Sequence, residues 1–392
     1  MKQLSIYLPT FSSDYSGVCS ALFDLNCLVV INDAQGCTGN YINCDEPRWT
    51  VKKKSILCSQ LRTMDAVLGN DEKVILQVVE AAEKLHADFI AVLGSPVPAI
   101  IGMDMTGMAR EIEARSGRPA LGFNTTGFSY YNKGVSDAFM MLLKRFTAPA
   151  GMTIANSVNI LGLTPLDFSA NNNSKLFRKL LEEHGFKINA SLLMESDLEQ
   201  VRRAAGAAVN LVVSQTGWAA AQYMRAQFGI PYIVAVPLGQ RYSQSIIQML
   251  RQTELDKVSR IITGGPSTQK AVSSMLVVGE QVMANSLRAA LWQAGSCRRI
   301  TVASFFALEP ALALPEDILL KDEGHLIKML RSGKYDSMLA DPLIAGIPAA
   351  KTLKCHVLPH PAVSGYLYWN QMPLLVGAEM ENLLQSLSNK KS

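Results

Sequence analysis

Cys27-Leu28-Val29-Val30-Ile31-Asn32-Asp33-Ala34-Gln35-Gly36-Cys37 is the stretch that decides the fold. Five apolar residues run without polar alternation and stop at Asn32-Asp33. A run of that kind suits a strand buried on both faces, as in a parallel sheet covered by helices. The polar break leads into a loop that carries Gly36 and Cys37. In open α/β sheets the loops at the carboxyl ends of strands hold the chemistry.

The same unit recurs in both directions along the chain. Residues 89–93 form a second apolar strand, stopped by Gly94-Ser95-Pro96. Helices are expected over 74–85, 106–115 and 134–146, with a strand at 119–123 between the last two. A second unit starts near Gly151, with strands at 157–162, 190–194, 209–214 and 231–236. Its helices fall at 174–183, 198–204 and 217–228, and Gly185 and Gly229 act as stops. A third unit has strands at 275–279, 300–304, 337–340 and 355–358 and helices through 290 and at 324–331. The expected architecture is three doubly wound, Rossmann-like α/β units with parallel sheets. Their expected bounds are 1–150, 151–270 and 271–392.

Composition narrows the function classes. The chain has 392 residues, 48% of them hydrophobic, enough for large cores. No run of 18 apolar residues marks a membrane span. The first residues lack the pattern of an export signal, so a cytoplasmic location is expected. Net charge is only +4. The single basic run, Lys52-Lys53-Lys54, reads as a solvated loop, and no nucleic-acid partner is expected. Seven cysteines are present, and five of them fall in the first 58 residues: Cys19, Cys27, Cys37, Cys44 and Cys58. An odd number in a reducing compartment argues against a disulfide framework, and the clustering points to metal or redox chemistry. No CxxC pair supports a zinc ribbon.

Several segments together resemble the nitrogenase component 1 family. Gly17-Val18-Cys19-Ser20-Ala21 is similar to its first cluster cysteine, and Asp33-Ala34-Gln35-Gly36-Cys37 to its second. The stretch from Asp65 to Lys73, Val97 to Asp104 ending Ile-Gly-Met-Asp, and Asn124-Thr125-Thr126-Gly127-Phe128 follow in the family's order. Val158-Asn159-Ile160-Leu161-Gly162 and Gln227-Phe228-Gly229-Ile230-Pro231-Tyr232 continue the likeness. The resemblance implies a subunit that carries part of an interface iron–sulfur cluster, of the [4Fe-4S] kind, on Cys19 and Cys37, with Gly36 beside it. Two partners are implied: a second component 1-type subunit, identical or related, and a nitrogenase-reductase-like ATP-dependent iron–sulfur protein. Thiolates are the usual ligands of such clusters, and four positions must be filled.

The departures from the family pattern are as informative. A third cluster cysteine is expected six residues before Gly102, where Pro96 stands beside Ser95. This chain is therefore expected to supply two ligands and its partner the rest, with Cys44 and Ser95 as further candidates. Cys58 reads as a half-buried thiol. Asn210-Leu211-Val212-Val213 is followed by Ser214 instead of the cysteine that anchors the large molybdenum–iron cofactor, and serine is a poor ligand for a soft site. No covalently anchored cofactor of that kind is expected, which favours a free substrate such as a tetrapyrrole or a sulfur-containing molecule. His360, between Pro359 and Pro361, reads as a turn residue. Asp33 reads as a strand-end cap, Arg48 and Trp49 as possible lining of a docking surface, and Gly17 as a close approach to the cluster. The expected function is electron delivery from the reductase to a hard-to-reduce substrate. The alternative is a non-catalytic metallocluster scaffold or a structural partner of an active paralogue.

Overall fold

The computed structural model describes residues 5–52, 54–69, 71–264, 273–296 and 298–388. It contains three parallel sheets. The first holds β1 (Cys27–Ile31), β2 (Ile56–Cys58), β3 (Phe89–Leu93) and β4 (Ala120–Phe123) in the order β2-β1-β3-β4. The second holds β5 (Ile154–Leu161), β6 (Lys187–Ser191), β7 (Ala207–Val212), β8 (Tyr232–Val234) and β9 (Arg260–Ile261) in the order β6-β5-β7-β8-β9. The third holds β10 (Ser273–Val278), β11 (Arg298–Ser304), β12 (Ile318–Leu319), β13 (Ser337–Ala340) and β14 (Lys354–Val357) in the order β12-β11-β10-β13-β14. Every strand pair is parallel, and β1 aligns with β3 from Cys27 opposite Phe89 to Ile31 opposite Leu93. All five residues of β1 and of β3 are buried, as unalternated apolar strands require.

The helices fill in what periodicity left out. Cys19 lies in the helix Asp14–Leu22, every residue of which is buried, and not in a loop. A helix buried all round carries no amphipathic stripe, so its sequence gives no periodic signal. The helices Arg241–Asp256 and Ala378–Ser388 and the short strand β2 were also not expected. The strand expected at 190–194 lies three residues earlier, because Leu193 (φ 103°) and Glu195 (φ 55°) leave the extended region. Gly185 and Gly229 take positive φ at the ends of their helices, as their positions suggested.

The inner faces of the three sheets share one hydrophobic cluster, which includes Phe89, Phe139, Leu161, Leu211, Val277 and Ile300. Separate smaller cores cover the outer faces of the first and third sheets. At the centre the helices Asp14–Leu22 and Tyr131–Phe146 pack backbone to backbone. A Cβ at Gly17 would strike the carbonyl of Tyr131, and one at Gly134 the carbonyl of Asp14. Gly17 thus serves helix packing. The same contact fixes Tyr131, the first residue of its helix, where the units meet.

Candidate functional site

The end of β1 builds a thiol-bearing face. Asp33 Oδ2 accepts from the backbone N–H of Gln35 at 2.9 Å and of Thr38 at 3.1 Å, and so caps the short helix Gly36–Asn40. Gln35 is held at φ 105° to make the turn. Cys37 sits in the first turn of that helix and is partly exposed. Burial raises the pKa of its thiol, and the Asp33 carboxylate adds to the rise; Tyr15 and Cys58 are its other titratable neighbours. Cys58 ends β2 and donates its S–H to the carbonyl of Asp33 at 3.2 Å. No further side chain lies within 4 Å of a Cβ placed on Gly36, which leaves that approach open.

The other candidates are placed differently. Cys19 is 0% exposed, beside Cys27 and facing Tyr41, Glu46 and Asp45. Burial and two nearby acids push its thiol pKa well up. Cys19 is thus enclosed by its own chain, whereas Cys37 reaches the surface. Ser95 is fully buried, and its hydroxyl donates to the carbonyl of Asn32 at 2.8 Å. Cys44 is partly exposed on the π-helical turn Tyr41–Asp45, where its backbone abuts Gly365. Arg48 is not a docking residue. Its buried guanidinium pairs with Glu46 at 2.7 Å and Asp24 at 3.1 Å and lies over the ring of Phe23 at 4.4 Å. Trp49 packs edge-on against the same ring.

Among the described residues no group of three or more His, Cys, Asp or Glu side chains is arranged to hold a metal ion. Cys37 and Cys58 are both partly exposed thiols close to Asp33. The residues present therefore fit a share of a four-thiolate cluster, not a whole one.

A second set of polar groups, unread in the sequence, lies between the units. Tyr131 OH donates to Asp167 Oδ1, and His360 Nε2 lies 3.1 Å from the same oxygen and 3.2 Å from the tyrosine oxygen. His360 is 9% exposed, and its backbone N–H donates to Asp341 at 2.8 Å. The prolines beside it do not make it a surface turn; they fix a buried bend. Phe306 stacks edge-on against both His360 and Tyr131 and closes one side. Glu280, at the end of β10, accepts from Gln215, Val282 and Met283 backbone N–H groups at 2.7–2.9 Å. Burial, helped by the Asp167 charge, pushes its pKa up from 4.5 to about 7. Asp167, Glu280 and His360 line a small cavity at the carboxyl ends of β10 and β13. That is the point where the third sheet reverses its strand order. These three residues are far apart in sequence and carry no shared motif, so only the fold brings them together. Ser214, at the position of the cofactor cysteine, is also buried, and its hydroxyl donates to the carbonyl of Gly162 at 2.9 Å.

Three parallel sheets, each covered by helices and joined around a shared core, define a multidomain α/β fold. The chain belongs to the nitrogenase component 1 type oxidoreductase family, whose model matches residues 14–311. It is 24% identical over 194 residues to a subunit of the light-independent protochlorophyllide reductase of Nostoc punctiforme, a match covering 47% of this chain and 38% of that one. It is 26% identical over 228 residues to nitrogenase iron-molybdenum cofactor biosynthesis protein NifE of Methanosarcina barkeri, covering 52% and 48%. The chain thus spans less than half the length of these curated relatives. Two solved structures titled nitrogenase Cp1, at pH 5 and pH 6.5, superpose with TM-scores of 0.68 and 0.71. They are 15% and 12% identical, cover 99% of this chain and 90% and 93% of theirs, and establish the fold. No described helix is long and apolar enough to cross a membrane.

Proposed function

We propose that this chain is an electron-delivering component 1-type subunit. Cys37 contributes to an iron–sulfur cluster of the [4Fe-4S] kind at an interface with a second such subunit, identical or related. Electrons come from an ATP-dependent iron–sulfur reductase, and the reaction takes place in the interdomain cavity. The observation that carries this reading is the position of Cys37: partly exposed, at the carboxyl end of a central strand, with the thiol of Cys58 as a titratable neighbour. Bound there, a cluster would supply one-electron transfer. The chain's own part is to orient the thiols through the Asp33 cap and to hold Cys58 through its bond to the Asp33 carbonyl. Iron would also hold Cys37 as thiolate against the upward pull of burial. The three sheets between 27 and 123, 154 and 261, and 273 and 357 support one unit each within the bounds 1–150, 151–270 and 271–392. A cytoplasmic location belongs to the same proposal, since such clusters need a reducing compartment.

The likeness to a cofactor biosynthesis protein favours a second reading, a scaffold that holds a metallocluster precursor without turnover. Reductant consumption with the reductase present separates the two. The first reading is tested by iron and sulfide analysis with EPR on anaerobically purified protein and its partner. Cys37→Ala is expected to lose most of the bound iron while remaining folded, and Cys19→Ala to keep it. Iron-free wild type, or a Cys37→Ala protein with unchanged iron, would overturn the proposal.

A further inference from the structure

The cavity at the end of β10 and β13 has one polar corner and otherwise apolar walls. The corner is formed by Asp167, Glu280 and His360. Among the described residues Asp167 Oδ2 and His360 Nδ1 have no hydrogen-bond partner, although the two residues are only 4% and 9% exposed. A buried polar atom left unpaired is destabilising, so its persistence points to a partner brought from outside. The sign of the corner limits what that partner is. Among the described residues no Lys or Arg lines the cavity, whose two carboxyl groups are those of Asp167 and Glu280. Asp341 is outside the lining and accepts from the backbone N–H of His360. A carboxylate entering this corner would add a further negative charge at low dielectric with nothing to balance it. An N–H donor, or a cation, would instead complete Asp167 Oδ2. The rest of the wall, Val277, Met283, Leu287, Leu339 and Met372, offers only apolar contact.

We propose that this cavity binds a small nitrogen compound, cationic or bearing N–H donors and free of carboxylate groups. Its nitrogen lies against Asp167 and His360 and its carbon skeleton against the apolar wall. The free space, about 30 Å³ for the centre of a water-sized sphere, admits a compound of only a few heavy atoms. A macrocycle bearing acid side chains suits neither the size nor the sign, so the tetrapyrrole considered from sequence is set aside. Any turnover of the bound compound rests on the redox function proposed above. Reducing a C=N bond of such a compound takes two electrons, from the iron–sulfur reductase, and two protons, one to carbon and one to nitrogen. Glu280, whose carboxyl keeps its proton to about pH 7, is the proton-bearing group on this wall and is refilled from water.

The test uses a pair of probes matched in shape and opposite in charge, acetamidinium and acetate, with the full-length chain. Saturation-transfer NMR reads each methyl group in the same tube, without reductant or bound iron. Acetamidinium is expected to give at least tenfold more transfer than acetate. Asp167→Asn and His360→Gln should abolish it, with the circular dichroism of the wild type. Ala284→Leu, which fills the cavity and leaves the acids in place, gives a second route should Asp167→Asn fail to fold. Equal transfer from the two probes, or acetamidinium transfer that survives both His360→Gln and Ala284→Leu, overturns the proposal. Because the readout needs no cluster, failure here leaves the role of Cys37 standing, and loss of that role leaves this binding measurable.

Discussion

At the scale of single residues, burial decides which titratable groups are free to act. Cys19 and Cys37 look equivalent in the sequence, each next to a glycine-bearing segment. One is sealed among Tyr41, Glu46 and Cys27, and the other sits in the first turn of a short helix at a strand end. Glu280 shows the energetic consequence of such sealing. Its ordinary carboxyl pKa of 4.5 is pushed to about 7, chiefly by burial and secondarily by Asp167. Between those two values the folded chain keeps a proton that the unfolded chain has released. Stability therefore falls as pH rises through that window, and the part due to Glu280 is fully lost above the folded pKa. Glu280→Gln, which stays neutral, is expected to flatten the pH dependence of the urea midpoint between pH 4.5 and 7. An unchanged slope in the variant would show that another group sets it. Gly36→Ala makes a second residue-scale prediction. No side chain opposes the added methyl, so the unfolding midpoint should stay within about 0.5 kcal/mol of wild type, as for surface changes away from packed features. Any loss of iron in that variant then reports on the proposed cluster site itself.

At the scale of elements, the pair of helices Asp14–Leu22 and Tyr131–Phe146 holds the centre together. Their contact is backbone on backbone at Gly17 and Gly134, closer than any side chain permits. Gly134→Ala is expected to cost about 3 kcal/mol, the upper part of the range for overpacking, because the opposing atoms are main chain and cannot turn aside. Chemical denaturation measures it, and a change under about 1 kcal/mol would mean that the helices separate freely. The displacement should also reach Tyr131 and its bond to Asp167, since that residue opens the second helix. Asp14, whose carbonyl faces Gly134, performs a related task. Its carboxylate accepts from Thr126 and Gly127 backbone N–H groups at 2.9 and 2.7 Å, and so ties the first helix to the turn after β4.

At the scale of the whole molecule, the units are joined by buried polar links as well as by the shared core. Arg48 reaches Leu193 O in the second unit at 3.4 Å, and Asp24, its partner, accepts from the Glu195 N–H at 2.9 Å. Its remaining contacts, to Glu46 at 2.7 Å and to the carbonyl of Ser20 at 2.7 Å, leave the guanidinium well satisfied. Removing one member of such a network strands the others in the interior, which costs about 3–5 kcal/mol. Arg48→Ala is therefore expected to lower stability by that order, with faster amide exchange at Glu195 than at residues of β1. Equal protection at both sites would show that the link does not join the units. The third unit is tied in separately. Glu381, in the C-terminal helix, accepts from Gln240 and Arg241 backbone N–H groups at 2.8 and 3.2 Å.

What the sequence alone determined was the class of fold and the neighbourhood of the thiols. Unalternated strands such as 89–93 declare a sheet covered on both faces, and a strand followed by Asp-Ala-Gln-Gly-Cys declares a functional loop, because both signals are local. The helix around Cys19 gave no such signal: it is buried on every side, and periodicity vanishes when there is no solvent face. The strand pattern was equally silent on which cysteines reach the surface, since exposure depends on what packs above them. Only the tertiary structure decided that Tyr131, Asp167, Glu280 and His360 meet. They come from three units, and their unpaired atoms and shifted acidity arise from burial against one another. Burial of that kind is a property of the assembled core and is written in no single stretch of the chain.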